Sequence, residues 1–247
     1  MISYSFQTIG VERKAIAQII AEASNTDAIY AGPPSFAYRV GDISIDRNSL
    51  VKMPINERSE DVLQALKEKG VTTESEGIVT ILMKQHTGVS LRNLVNIIAS
   101  KDRLLQAALG RTASTLPLPL VELVNSIRLE DAGDFAEVVR GQDTGGLSFD
   151  FKRKTIGFSF FNASLELETV KAYAALCSAL DEQAKKQKHA SFQQKDTENQ
   201  KYTFRCFLLR LGFIGDELKA ERKVLMANLE GNGAFRKKEV RNEEAVC

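Results

Sequence analysis

The chain has 247 residues, 26% of them charged and 43% hydrophobic, an ordinary globular make-up with enough length to bury a full core. Thirty-three Lys and Arg against 32 Asp and Glu leave a net charge of +1, so no global field selects nucleic acid or membrane as a partner. No apolar run reaches the roughly 18 residues that span a bilayer, and Met1–Gln7 lacks the basic-then-apolar order of a signal peptide, so a cytoplasmic location is expected.

Ile2–Thr8 alternates as a strand does, and Val11–Ala23 places Val11, Ala15, Ile16, Ile19, Ile20 and Ala23 at helical spacing. Gly32-Pro33-Pro34 is a turn. Phe36–Val40 and Ile43–Asp46 predict a hairpin joined at Gly41-Asp42, and Leu50–Ile55 a short extended piece with Pro54 at an edge or strand end. Ser59–Lys69 predicts a helix capped by Ser59 and stopped by Gly70. Gly77–Lys84 is an apolar strand, followed by helices over Val89–Ser100 and Asp102–Leu109, closed by Gly110.

Arg111–Gly146 has irregular apolar spacing, and its Leu116-Pro-Leu-Pro119 cannot lie inside a helix. Leu147–Phe151 and Thr155–Phe161 predict a hairpin turning at Lys152-Arg-Lys154. Leu167–Gln187 is a long helix with Val170, Tyr173, Ala174, Cys177 and Leu180 on one face. After a polar connection, Tyr202–Leu211 and Asp216–Leu229 predict two more helices, broken at Gly212–Gly215. Arg236–Cys247 is a charged tail, expected to fray. The expected fold class is α+β: an antiparallel sheet with packed helices plus a helical C-terminal unit. The domain reading is residues 1–187 for the α+β domain, 188–235 for the helical unit and 236–247 for the tail.

Four segments in this order resemble one family. They are Val11–Glu22, Leu91–Leu105, Thr155–Asn162 and Tyr202–Asp216, with the fourteen residues Leu208–Glu221 the best single pointer. Together they resemble the amidoligases, carboxylate–amine ligases related to glutamine synthetase and glutamate–cysteine ligase. The C-terminal segment is also similar to virulence-related proteins of bacterial mobile elements. The resemblance implies ATP-dependent joining of a carboxylate to an amine, with magnesium held by hard oxygen ligands and cationic groups on the phosphate.

Those groups are missing where the resemblance places them. The family's Gly-Val-Glu-x-Glu strand is here Ser3-Tyr-Ser-Phe-Gln7, so Ser5 and Gln7 replace two carboxylates. Its Gly-Ile-His-x-His strand is Gly77-Ile-Val-Thr-Ile81, so Val79 and Ile81 replace two imidazoles. Its Glu-Phe-Arg strand is Gly157-Phe-Ser159, so Gly157 and Ser159 replace a carboxylate and a guanidinium. Glu76 is the one carboxylate that a small slip in alignment brings in. Six neutral or apolar replacements on three strands point to a scaffold that has abandoned the reaction. No catalytic, metal or cofactor residue is then expected.

The other candidates read as structural. Asp46 suits a turn at a strand end. His86 has no acid or nucleophile beside it in sequence, and His189 lies in a polar stretch. Cys177 and Cys206 fall in helical apolar patterns as small core residues, and Cys247 is terminal. Gly231-Asn-Gly233 follows a helix, which is the wrong context for a phosphate loop. Asn162-Ala-Ser164 matches a glycosylation sequon that a cytosolic chain does not use. Lys185-Lys186-Gln-Lys188 and Arg236-Lys-Lys238 lack interleaved aromatics and read as solvated faces, so nucleic acid is not the expected partner. Phe149, Phe151, Phe158, Phe160 and Phe161 crowd one hairpin, as in either a collapsed dry cleft or an apolar partner surface. The expected function is binding of a protein partner, in a phage or mobile-element factor that interferes with a host process. The competing readings are an ATP-dependent carboxylate–amine ligase with rearranged ligands and a nucleic-acid binder using its basic C-terminal segments.

Overall fold

In a computed structural model of the chain, which describes residues 2–234, one antiparallel sheet of eight strands runs in the order β2-β3-β4-β5-β1-β6-β8-β7. The strands are β1 (Ser3–Ile9), β2 (Ala28–Tyr30), β3 (Tyr38–Val40), β4 (Ile43–Ile45), β5 (Leu50–Pro54), β6 (Thr72–Leu82), β7 (Leu147–Asp150) and β8 (Thr155–Asn162). Between and after them lie α1 (Arg13–Ser24), α2 (Ser59–Glu68), α3 (Gly88–Ser100), α4 (Asp102–Leu109), α5 (Leu118–Ser126), α6 (Ala132–Val139), α7 (Leu167–Lys186), α8 (Gln200–Arg210) and α9 (Lys219–Leu225). The α+β class is therefore as the sequence reads.

The three strands of the resemblance, β1, β6 and β8, lie side by side inside the sheet, toward its β7 edge. Directly paired residues share a face. Tyr4 pairs with Val79 and Val79 with Phe158, and all three are fully buried beneath the helices. Ser5 pairs with Lys52 on one side and Ile78 on the other, so that row forms the opposite face. Period-two alternation thus splits one apolar face from one mixed face.

Tyr4 anchors the centre. Its hydroxyl donates to the Ser164 carbonyl at 3.1 Å and accepts the Ser164 N–H at 2.8 Å. Burial pushes its pKa up to about 12. The ring fits only because residue 77 is glycine: a Cβ there would fall 2.7 Å from the Tyr4 hydroxyl oxygen.

Several expectations change at the level of elements. Ser59 is the first helical residue of α2 and not its cap. Its hydroxyl accepts the Asn56 N–H and donates to the Pro54 carbonyl, tying the helix to β5. Arg111–Gly146 contains two short helices, α5 and α6. Pro117 is the residue preceding α5 and Pro119 falls in its first turn, where a missing N–H costs nothing. The expected Asp216–Leu229 helix is confined to Lys219–Leu225. Of the two C-terminal helices, α9 makes the main contact with α7. Phe204, Phe207 and Leu208 of α8 are buried in the same core cluster as the sheet, so residues 188–234 share one core with what precedes them. The expectations for Arg236-Lys-Lys238 and for Cys247 lie outside the described residues.

Candidate functional site

The six positions singled out by the resemblance do not converge. Ser5 and, by alternation, Gln7 lie on the mixed face, opposite Lys52 and Leu50 of β5. Gly157 shares that face with Thr80 and Ser148. Ser159 sits where β8 gains one residue over β6, between the Val79–Phe158 and Gly77–Phe161 pairs. Val79 and Ile81 point the other way, into the core beneath the helices. The β6 residues that actually neighbour Ser5 on the mixed face are Ile78 and Thr80, and neither is a metal ligand of the family's kind. A carboxylate side chain at Gly157 would also have to displace Ser148, whose Oγ occupies the space a Cβ would need.

Across the sheet this face reads Arg39, Ser44, Lys52, Ser5 and Ile78 in one row, with Thr80, Gly157 and Ser148 in the next. Arg39, Lys52 and Ser148 are exposed, and no helix covers them. Glu76 pairs with Arg111 at 3.1 Å. Among the described residues no group of three His, Cys, Asp or Glu side chains is placed to hold a metal ion. Asp46 is the turn residue expected: its Oδ1 accepts the N–H groups of Asn48 and Leu50.

The phenylalanines resolve in favour of a filled interior. Phe158, Phe160 and Phe161 are buried, and Phe161 stacks on Tyr173 of α7 with ring centroids 4.3 Å apart. Phe149 meets Phe135 of α6 edge-on at 5.1 Å.

His86 requires a correction, because it does have an acid and a hydroxyl beside it. Its Nε2 is 2.6 Å from Asp181 Oδ1 and its Nδ1 2.9 Å from Ser90 Oγ. Asp181 Oδ2 in turn accepts from Lys185 Nζ at 2.6 Å. The composition is that of a Ser–His–Asp relay, but the geometry is structural. The imidazole is fully enclosed and Asp181 is 8% exposed. Ser90 is committed to a capping box at the start of α3, accepting the Thr87 N–H and donating to the Thr87 carbonyl. A nucleophile needs a free hydroxyl that substrate can reach; this one is neither. The cluster clamps the start of α3 to the C-terminal part of α7.

Lys185 is accordingly not a solvated lysine, as its basic stretch suggested. Burial opposes its charge, but the hydrogen bonds and charges of Asp181 and Glu182 outweigh that, and its pKa is raised. Cys177, one helical turn before Asp181, is enclosed; burial and then the Asp181 charge push its thiol well up, so it is inert. Cys206 is only half-buried on α8, contrary to its core assignment. His189 is exposed, as expected.

At the β2 edge of the sheet, exposed apolar groups lie beside unpaired backbone. Among the described residues nothing pairs with the outer side of β2. Ala31 donates to the Ala37 carbonyl, so by the alternation of an antiparallel ladder Ile29 faces β3 while Ala28 and Tyr30 turn their N–H and C=O groups outward. Ile29 is 63% exposed, Tyr30 50% and Phe36, at the hairpin tip, 40%. Beside this edge runs a groove of about 670 Å³, lined on one wall by Lys14, Ala17, Gln18, Ala21 and Glu22 of α1 and on the other by Ala28 and Tyr38. Arg13 fixes the hairpin tip by donating to the Phe36 carbonyl at 2.7 Å and lies 5.8 Å from the Tyr38 ring centre. Sequence reading misses β2: three residues show no periodicity, and its signal is only the unsatisfied Ile29-Tyr30 pair before Gly32-Pro33-Pro34.

Comparison with protein-family models, curated proteins and solved structures finds no match to this chain.

Proposed function

We propose that this protein is a protein-binding scaffold without ligase chemistry, and that its contact surface is the outer edge of β2 with the β2–β3 hairpin. The observation that carries this reading is the coincidence of two outward-facing backbone pairs, at Ala28 and Tyr30, with the exposed Ile29, Tyr30 and Phe36 side chains and the α1 groove. An unpaired strand edge beside a groove is the arrangement that takes up an extended segment of another chain, with backbone hydrogen bonds for affinity and side-chain pockets for specificity. The short length of β2 and the prolines after it limit the edge to a short added strand. In this reading the likeness to amidoligases is one of scaffold. Ser5, Gln7 and Gly157 stand on the mixed face where the resemblance would put acids, and Val79 and Ile81 stand in the core where it would put imidazoles. A role in a phage or mobile-element factor that engages a host protein fits the similarity of the C-terminal segment.

A displayed library of random peptides panned on the full chain tests the reading. Selected peptides should bind the wild-type protein and lose at least about tenfold in affinity to Tyr30→Pro, which removes one outward N–H without touching the ladder to β3. They should bind Lys52→Glu, on the mixed face, as they bind wild type. Ligands that ignore Tyr30→Pro and fail on Lys52→Glu would move the site to the mixed face and defeat the assignment.

A further inference from the structure

The β2 edge is complementary to itself. We infer that its occupant is a second copy of this chain, paired β2 to β2 about a twofold axis through Ile29, an inference that rests on the edge being a protein-binding surface.

The backbone sets the register. With Ile29 opposite its symmetry mate, Ala28 of each copy faces Tyr30 of the other. Those are the residues whose N–H and C=O groups point outward, so each Ala28–Tyr30 pair exchanges two hydrogen bonds. Centring on Ala28 or Tyr30 instead would pair fewer of these groups. The eight strands of each copy then continue in one sheet, and the free edge disappears from both.

The side chains agree with that register on both faces. On the mixed face the two Ile29 side chains, each 63% exposed, meet in the close, non-hydrogen-bonded position. On the helix face Tyr30 of one copy lies across from Ala28 of the other. Its ring, 50% exposed and 5.0 Å from the Tyr38 ring of its own hairpin, therefore faces the partner's Ala28 and the mouth of the groove that Ala21 helps to line. A large ring set against small residues fills a gap on each side of the axis.

The charges agree as well. The Arg13 contact with the Phe36 carbonyl puts the start of α1 at the Tyr30 end of the hairpin, and Thr26, whose N–H bonds the Ala21 carbonyl, leads from the end of α1 to Ala28. Lys14 thus lies toward Tyr30, and Glu22 and Asp27 toward Ala28, with the exposed Gln18 midway. Twofold rotation about Ile29 sets each Lys14 against the other copy's Glu22 and the two Gln18 residues against each other. Because α1 packs mainly over β3, the two helices stand about three strand spacings apart, roughly 14 Å, a gap that an extended lysine and glutamate close between them.

Sedimentation of the full chain across the micromolar range tests this. The wild type should shift from monomer to dimer with rising concentration. Lys14→Glu, which sets a second carboxylate against Glu22, should weaken the dimer by roughly fivefold or more, and the double swap Lys14→Glu with Glu22→Lys should restore it. Tyr30→Pro should leave a monomer whose thermal melt stays close to that of wild type. A wild-type chain that remains monomeric throughout, or a dimer indifferent to both Lys14→Glu and Tyr30→Pro, overturns the inference. If the chain is monomeric yet peptides selected on it are still lost on Tyr30→Pro, the edge is a binding surface for other proteins and only the second copy is wrong.

Discussion

Asp181→Ala should destabilise the protein by roughly 3–5 kcal/mol, because it removes one partner of a buried, doubly paired charge. The carboxylate is 8% exposed and holds His86 and Lys185 at once, each at 2.6 Å. Without it the His86 Nε2–H is a fully enclosed donor with no acceptor, and the start of α3 loses its tie to α7. Lys185 is less stranded, since Glu182 remains within 3.2 Å and its side chain reaches solvent. For a chain of this length the loss should lower the melting temperature by roughly 6–20 °C. Asp181→Asn keeps an oxygen for the imidazole and should cost clearly less. Calorimetric or circular-dichroism melts of both variants check the pair. Equal costs for the two would mean that the carboxylate's charge matters more than its size or its hydrogen bond to His86.

Phe207→Ala should cost about 3–5 kcal/mol, the range for deleting a large side chain from a packed core. Phe207 is 7% exposed, neighbours Phe204 at 6.0 Å between ring centres, and carries the Lys101 ammonium 5.8 Å from its ring centre. That ammonium is already disfavoured: burial first, then Arg210 and Lys195, lowers the Lys101 pKa. Removing the ring takes away a favourable cation–π contact as well as the packing. A variant that kept its melting temperature but lost the peptides selected on wild type would make α8 an interface and not core.

The inner strands and most helices were legible because their patterns are long enough to carry a signal. β1 alternates, β6 and β8 are apolar runs of strand length, α1 and α7 repeat at helical spacing, and Gly110 ends α4 in the left-handed conformation. What was hidden has particular causes. α5 and α6 are eight or nine residues long, too short for a face to show, and Pro119 at the start of α5 reads as a breaker. The phase of β6 was legible only in part: a strand with apolar residues at 78, 79, 81 and 82 does not say which of its faces is inside, and the structure sends Val79 and Ile81 inward. The acid that serves His86 is 95 residues away, beyond any local pattern. Asn93 and Asn96, fully buried on α3, look in sequence like solvent-facing breaks in an apolar helix. They hold the last turn of α7 and the chain after it through the carbonyls of Ala184, Gln187 and Ala190. The β2 edge was missed for the opposite reason, since its information is in what lies outside the strand.

The claim that this sheet serves binding and not ligation is tested most directly by calorimetric titration of the full chain with Mg-ATP. The positions that the resemblance singles out, Ser5, Gln7, Gly157 and Ser159 on or beside the mixed face and Val79 and Ile81 sealed in the core, carry no charged oxygen and no imidazole to bind magnesium or phosphate. The expected result is no heat attributable to a site. A saturable isotherm of micromolar affinity, with ADP formed when a carboxylate and an amine are added, would contradict it.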